Sequence, residues 1–499
     1  MRIGNSPVLA KPRPSERLER VNESMDLRFG TDGWRAGIAD EYTFANVRRV
    51  AQGVATFARQ HWRHERGLVV GYDRRFGSER FAETVCEVFA ANGIKSYLTV
   101  EPTPTPTIAF MISKVAAAGG IIVTASHNPP SDNGIKVRTE TGAAVAPENL
   151  TRMEAAIPAA TVDIDSVPLD QARRDALVED LDAAAPYLAG VRANLDLERI
   201  RSADMRVVID SMFGAGAGYV DRLLAGSEVD LVTIRQEHNP RFPGIARPEP
   251  IPPYTDALST AVKDRDAAVG IVHDGDADRL GIVDENGEFI DQLRVMSLLA
   301  YYLLEYSPSP GPIVRTVTTS SMLDRLGELY GVDVHETGVG MKYVAPKMLE
   351  VGAMMGGEES GGYVIGSHMP ERDGIYSGLM FLDFLARTGK TPTALVEQLF
   401  EKLGREYHYA RLDLRFPAED RAEIEERVAA FRPEALDGTD VVGLLTDDGH
   451  KVKLADGSWL LIRFSGTEAL LRVYTETTSR DRVRRLLSLG AQAAGVEIP

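Results

Sequence analysis

The sequence predicts three related α/β domains with mixed sheets and a smaller C-terminal α+β domain, arranged around one central cleft. Three observations carry this. A strand-like apolar run followed by a helical pattern occurs three times, and each time a second apolar run ends in a polar, glycine-rich loop. The residues after about Tyr407 instead show short strands separated by Asp-Gly turns. A length of 499 residues also exceeds what one core organises and suits about three or four domains.

In the first unit, residues 67–73 form an apolar run, and Gly77-Ser78 opens an amphipathic stretch that reaches Ala91 and stops at Asn92-Gly93. In the second, residues 205–210 are followed by Gly214, Gly216 and a helical pattern to Leu224. In the third, residues 311–317 precede Thr319-Ser320-Ser321 and a helix reaching Tyr330 and Gly331. Apolar runs of this length alternating with helices argue for βαβ units and parallel or mixed sheets. The second apolar segments, 120–124, 268–272 and 352–355, run into loops 125–129, 273–279 and 356–362. Strand ends are rigid while loop chemistry varies freely, so loops there carry ligand sites. In the tail, strands are predicted at 410–416, 440–446, 451–455, 459–464 and 470–476, with a helix at 418–431 and another from near Ser479. Asp448-Gly449 and Asp456-Gly457 read as hairpin turns. The expected domains are 25–188, 189–290, 291–404 and 405–499, behind an extension at 1–24.

Hydrophobic residues make up 44% and charged residues 26%, a soluble globular balance. The net charge of −17 argues against a nucleic-acid partner and predicts that any anion site gathers Arg and Lys locally. The single cysteine, Cys86 in the apolar pattern 81–90, reads as a small buried side chain and excludes an intrachain disulfide. The first 24 residues lack the apolar core of a signal peptide, and the longest apolar run, around 296–304, is too short for a bilayer. The expectation is a cytoplasmic monomer or homodimer with no membrane partner.

Four loops carry the chemistry. In 274–278, alternate residues of an extended loop bring Asp274, Asp276 and Asp278 toward one point, where mutual repulsion favours an oxygen-seeking divalent cation such as Mg²⁺. An EF-hand fits poorly, because Arg279 stands where the sharp turn needs glycine and 280–284 reads as a strand; a solvated acidic turn is the other alternative. Ser126 follows an apolar strand, a placement that holds a hydroxyl rigidly in a cleft; a plain turn serine before Asn128-Pro129 is the alternative. Lys136 follows Asn133-Gly134, read as a hairpin returning it toward Ser126 as an acid/base group, or else as a surface lysine. Glu358-Glu359-Ser360 between glycine pairs suits bidentate bonding to sugar hydroxyls, against a solvated acidic turn. The run 463–467 combines a guanidinium, two hydroxyls and a glycine, the composition of a phosphate cradle, against an edge turn. Arg472 reinforces that cradle or pairs with Glu476. Together the loops describe phosphoryl transfer on a phosphosugar.

The motifs TASHNP, DGDADR, GEESG and RFSGTE, in this order and behind RFGTDGWRAG at 28–37, resemble those of the α-D-phosphohexomutases, near the phosphoglucomutase and phosphomannomutase branch. The resemblance runs from about Leu27 through nearly the whole chain. It implies that Ser126 is the phosphorylated serine, and that Asp274, Asp276 and Asp278 hold Mg²⁺ with a Ser126 phosphate oxygen. It implies Arg35 and Arg279 near that phosphate, and His127 and Lys136 flanking the transfer. Glu358 and Ser360 would bind sugar hydroxyls. Arg463, Ser465, Gly466 and Thr467 would hold the idle phosphate. Thr337 and Lys342 belong to a loop like the family's substrate loop. The implied reaction interconverts hexose 1-phosphate and hexose 6-phosphate through a 1,6-bisphosphate, with glucose 1,6-bisphosphate as activator. The extension 1–24 has no match, and Met341 stands where some relatives carry histidine.

The glutamate-rich loop leans toward glucose, since glucosamine-specific relatives tend to carry glutamine there. Mannose or dual specificity, glucosamine phosphate, a metal phosphatase, and a non-catalytic sugar-phosphate sensor are the rivals. The sensor is disfavoured by the presence of Ser126, the three aspartates, Lys136 and Arg463.

Overall fold

A computed structural model describes residues 27–30, 32–159, 164–465 and 469–498; the 1–24 extension, Gly466 and Thr467 lie outside them. The first sheet has six strands in the order Trp34–Gly37, Asp132–Thr139, Gly119–Val123, Leu68–Tyr72, Ser96–Thr99, Val178–Leu181. The second runs Phe289–Ile290, Leu280–Val283, Val269–His273, Arg206–Asp210, Asp230–Ile234, and the third Val334–Thr337, Ile313–Thr316, Met355–Gly357, Tyr363–Ile365.

The three sheets share one device. A buried strand pairs in parallel with the strand beside it, then turns through a loop and returns antiparallel: Gly119–Val123 to Asp132–Thr139, Val269–His273 to Leu280–Val283, Met355–Gly357 to Tyr363–Ile365. The serine, aspartate and glutamate loops are thus the same turn in three sheets. Strands such as Leu68–Tyr72, buried at every position, need apolar residues on both faces because helices cover both. The fourth sheet is antiparallel throughout, in the order His408–Arg415, Leu470–Thr477, Trp459–Phe464, His450–Leu454, Thr439–Leu445, Ala435–Leu436.

Two local expectations are corrected. Asn133-Gly134 is not a hairpin: both lie in the strand Asp132–Thr139, and the chain reverses earlier, where Asp132 N–H donates to Pro129 O at 3.1 Å. The glycine serves close packing, since a Cβ on Gly134 would stand 2.6 Å from both Thr124 O and Trp34 O. The strand expected at 352–355 begins only at Met355, because Gly352 caps the helix Met341–Val351 at φ 61°.

Helix Ala184–Asn194 crosses the boundary expected at 188, and its Ala184, Tyr187, Leu188 and Val191 join a core that runs continuously through the second and third units. The first and fourth units each have a main core of their own, and Ala143 and Ala144 of the first pack into a smaller cluster with Val314, Met341 and Val344 of the third. No helix among the described residues is long and apolar enough to cross a membrane.

The third and fourth units meet at a seam of Val317, Trp459, Leu461 and Tyr474. Lys451 reaches across it, donating to Val317 O at 2.6 Å and Glu336 Oε2 at 2.7 Å. Glu336 also pairs with Arg315 and Lys453. Burial would raise the Glu336 carboxyl, but Arg315 and Lys451 outweigh it and hold it at about 2. Burial and Arg315 in turn push Lys451 down to about 8. A carboxyl depressed by folding stabilises the fold above its ordinary 4.5, and that contribution is lost as pH falls toward about 2. Between about pH 5 and pH 3, the melting temperature of the wild type is expected to fall more steeply than that of Glu336→Gln. Equal slopes in a thermal-melt series would overturn this.

Candidate active site

Ser126 sits in the loop after Gly119–Val123 with φ 52°, a left-handed conformation that side-chain-bearing residues seldom adopt. Its backbone is held from two sides. Its N–H donates to Thr124 Oγ1 at 2.8 Å. The buried Arg75 guanidinium donates to the carbonyls of Ser126 (2.6 Å), Asn128 (2.6 Å), Pro129 (2.7 Å) and Asp132 (3.0 Å). Arg75 is anchored by Asp73, which also accepts from Thr124 Oγ1 at 2.6 Å and Ser78 Oγ at 2.7 Å, and it stacks on Phe242 of the second unit. Sequence reading missed this pair; Asp73-x-Arg75 at the carboxyl end of Leu68–Tyr72 was the available signal.

Ser126 Oγ donates to Asp274 Oδ2 at 2.7 Å and lies 3.4 Å from His127 Nδ1. The serine and aspartate loops touch so closely that a Cβ on Gly275 would stand 2.5 Å from Ser126 O. Asp274, Asp276 and Asp278 are fully buried, with one carboxylate oxygen of each within 4.8 Å of the others. Asp274 Oδ1 accepts the N–H groups of Asp278 and Arg279 at 3.0 and 3.1 Å. Lys136, read as a surface or hairpin lysine, is fully buried, and its Nζ donates to Asp276 at 2.7 Å and Asp278 at 2.6 Å. Burial would lower its pKa, but Asp276, Asp278 and Asp32 outweigh this and keep it a firm ammonium. Burial, then the neighbouring Asp276 and Asp278, pushes Asp274 far up. Burial, then Arg279 and Arg35, pushes His127 well down, so its imidazole is neutral.

Asp276 Oδ1 and Asp278 Oδ1 are buried without hydrogen-bond partners. Orphaned carboxylate oxygens in a buried cluster of hard donors fit a small divalent cation, and Mg²⁺ in particular.

A cavity of about 420 Å³ opens beside these loops and takes wall residues from all four units. Arg35 and His127 come from the first, Arg247 and Arg279 from the second, Glu358, Ser360 and Arg372 from the third, and Arg411, Arg463 and Arg472 from the fourth. An acidic chain has here gathered seven arginines around one cavity, against five carboxylates in the same lining, a local cationic excess that attracts anions. Arg35 also donates to Asn128 Oδ1 at 3.1 Å. Arg372, unnoticed in sequence, ties three units together: it bonds Asp32, Asp278 Oδ2 (2.7 Å) and Glu358 Oε2 (3.1 Å). Burial raises the Glu358 carboxyl, against the pull of Arg372 and Arg279. Asp32 also meets Lys136 at 3.1 Å and Arg138 at 3.0 Å.

Thr337 ends its strand, and Lys342 Nζ lies 5.6 Å over the Tyr343 ring; that loop meets the cavity through Val339, Gly340 and Met341 instead. Arg463 Nε donates to Asp448 Oδ1 at 2.8 Å, and Ser465 is buried beside it, its N–H on Leu470 O at 2.8 Å. Arg472 faces Asp413 at 4.0 Å and not Glu476, which is buried and accepts from Ser321 N–H at 2.9 Å. His273, His368 and His238 bond Gly374 O, Asp373 and Arg74 O, apart from the cavity wall.

Residues 26–162, 185–287, 291–403 and 414–489 match the family models for phosphoglucomutase/phosphomannomutase alpha/beta/alpha domains I, II and III and the C-terminal domain. A phosphoglucomutase/phosphomannomutase of Thermococcus kodakarensis is 30% identical over 468 residues, 93% of this chain and 98% of its own. A Pyrococcus abyssi protein provisionally named phosphoglucosamine mutase is 30% identical over 469 residues, covering 93% of this chain and 96% of its own. A crystal structure from Thermus thermophilus, provisionally a phosphomannomutase, superposes with a TM-score of 0.82 at 33% identity, over 94% of this chain and 99% of that one. The chain belongs to the phosphoglucomutase/phosphomannomutase family, a family of phosphotransferase mutases.

Proposed function

We propose that this chain interconverts hexose 1-phosphate and hexose 6-phosphate, with glucose phosphate preferred, through a phosphorylated Ser126 and a glucose 1,6-bisphosphate intermediate that also serves as activator. The observation that carries the reading is Ser126 Oγ bonded at 2.7 Å to Asp274, within a buried carboxylate cluster beside an arginine-lined cavity.

In the first half-reaction the P–Oγ bond of phospho-Ser126 breaks as a bond forms to the free hydroxyl of the sugar. As the bond forms, the sugar hydroxyl gives up its proton and the released Oγ gains one; His127, 3.4 Å from Oγ, and the buried Lys136 flank this exchange as the acid/base groups. Arg35 and Arg279 face the transferring group and offset its charge. Asp274, Asp276 and Asp278 would hold Mg²⁺, which supplies Lewis-acid neutralisation of phosphoryl oxygens. Glu358 and Ser360 orient the sugar hydroxyls, and Arg463, Arg472, Ser465, Gly466 and Thr467 grip the idle phosphate, with Thr337 and Lys342 bordering the site. The bisphosphate then turns round, exchanges its phosphates between the two sites and returns the other one to Ser126. Such chemistry suits the cytoplasm, where sugar phosphates and Mg²⁺ coexist.

The preference for glucose rests on the Glu358-Glu359-Ser360 loop; relatives carry names for glucose, mannose and glucosamine phosphates. A coupled assay with Mg²⁺ and trace glucose 1,6-bisphosphate, comparing glucose, mannose and glucosamine 1-phosphates, tests this. The highest kcat/KM is expected for glucose 1-phosphate. A higher value for another sugar reassigns the substrate, and no turnover of any by the folded protein sinks the mutase reading.

A further inference from the structure

Asp448 stands on the hairpin turn between Thr439–Leu445 and His450–Leu454, and its two carboxylate oxygens serve two different units. Oδ1 accepts from Arg463 Nε at 2.8 Å, within the fourth unit. Oδ2 accepts from the Val339 backbone N–H at 2.6 Å, in the loop through which the third unit meets the cavity. A bond at Nε fixes the plane of a guanidinium and so aims its terminal nitrogens. A second tie joins the same units nearby. Glu359, flanked by Glu358 and Ser360, accepts from Tyr409 Oη at 2.7 Å and Arg411 at 3.2 Å.

We propose that Asp448 is a positioning residue, which aims Arg463 at the idle phosphate only when the fourth unit is docked on the 338–341 loop of the third. The inference rests on the reading of Arg463 as a phosphate ligand. Docking supplies the Val339 N–H that holds the carboxylate, and the held carboxylate turns the guanidinium toward the cavity. Phosphate affinity is thereby linked to the seating of the fourth unit on the third through one side chain.

The test uses the full chain with Asp448→Ala, Asp448→Glu and Arg463→Ala. Asp448→Ala is expected to raise KM for the preferred hexose phosphate about tenfold, the loss of one charge-assisted hydrogen bond, with kcat changed less than about threefold. Asp448→Glu should recover part of the loss. Amide exchange at Val339 should quicken in Asp448→Ala, while a purely structural turn residue would lower the melting temperature and leave KM alone. A KM that stays level or falls in Asp448→Ala, where Arg463→Ala raises it, would overturn the proposal and leave the mutase reading standing. Should the wild type turn over no hexose phosphate, the mutase reading fails separately. Inorganic phosphate as a binding probe then decides: affinity unchanged between wild type and Asp448→Ala overturns the role of Asp448, and a loss of about tenfold supports it.

Discussion

Ser126→Ala is expected to lower turnover of hexose phosphate by at least about a thousandfold, since no other step replaces a lost covalent nucleophile. It is also expected to abolish phosphate labelling of the protein by glucose 1,6-bisphosphate. The fold should survive. The left-handed turn at φ 52° is enforced by backbone contacts, from Thr124 Oγ1 to the Ser126 N–H and from Arg75 to the Ser126 carbonyl, and alanine keeps both. Serine and alanine carry a similar strain there, about 1 kcal/mol, so the exchange does not add to it. What disappears is the Oγ donor to Asp274, one bond of about 1 kcal/mol at the edge of a cluster with other cations. Kinetics, intact-protein mass after incubation with the bisphosphate, and a thermal melt check the three parts. Residual turnover within about tenfold of wild type would place the transferred group on another side chain.

The parts of this site that were readable in sequence are those written locally. A strand running into a glycine-rich loop is a contiguous pattern, and it located Ser126, the three aspartates and Glu358 on one repeated turn. What failed was whatever depends on partners far along the chain. Asn133-Gly134 has the composition of a turn, but Asn133 is fully buried and bonds Ser78 Oγ at 2.9 Å, and the sheet claims both residues. Lys136 reads in sequence as a lysine returned toward Ser126 or else a surface lysine, and nothing local chooses between them because its carboxylate partners lie 140 and 142 positions away. Arg372 and Asp32, 340 positions apart, carry no local mark of their pairing, and neither does Arg75, whose four carbonyl acceptors belong to another loop. Asp448 sits on the turn that Asp448-Gly449 predicts, and turn composition carries no sign of the two bonds its carboxylate makes to Arg463 and Val339.

Lys136→Met is expected to cost about 3–5 kcal/mol of stability in magnesium-free buffer, the penalty for breaking a buried ion pair by removing one partner. The Lys136 ammonium is fully buried and bonded to two of the three aspartates, with Asp32 at 3.1 Å. Methionine fills similar space and supplies no charge, leaving Asp276 and Asp278 facing each other across a medium poor in water. Arg372 still bonds Asp278 and Thr105 still bonds Asp276 at 2.5 Å, which limits the damage without neutralising the cluster. Added Mg²⁺ should therefore raise the melting temperature of Lys136→Met more than that of the wild type, since the variant's carboxylates have a greater charge deficit to fill. A ligand at about 100 times its Kd contributes about 2.7 kcal/mol, enough to recover most of the loss. Thermal melts with chelator and with Mg²⁺, run on both proteins, give the four numbers needed. Equal Mg²⁺ shifts would mean that Lys136 does not neutralise the triad. A Lys136→Met protein as stable as wild type in chelator would mean that the aspartates are kept neutral by protonation instead.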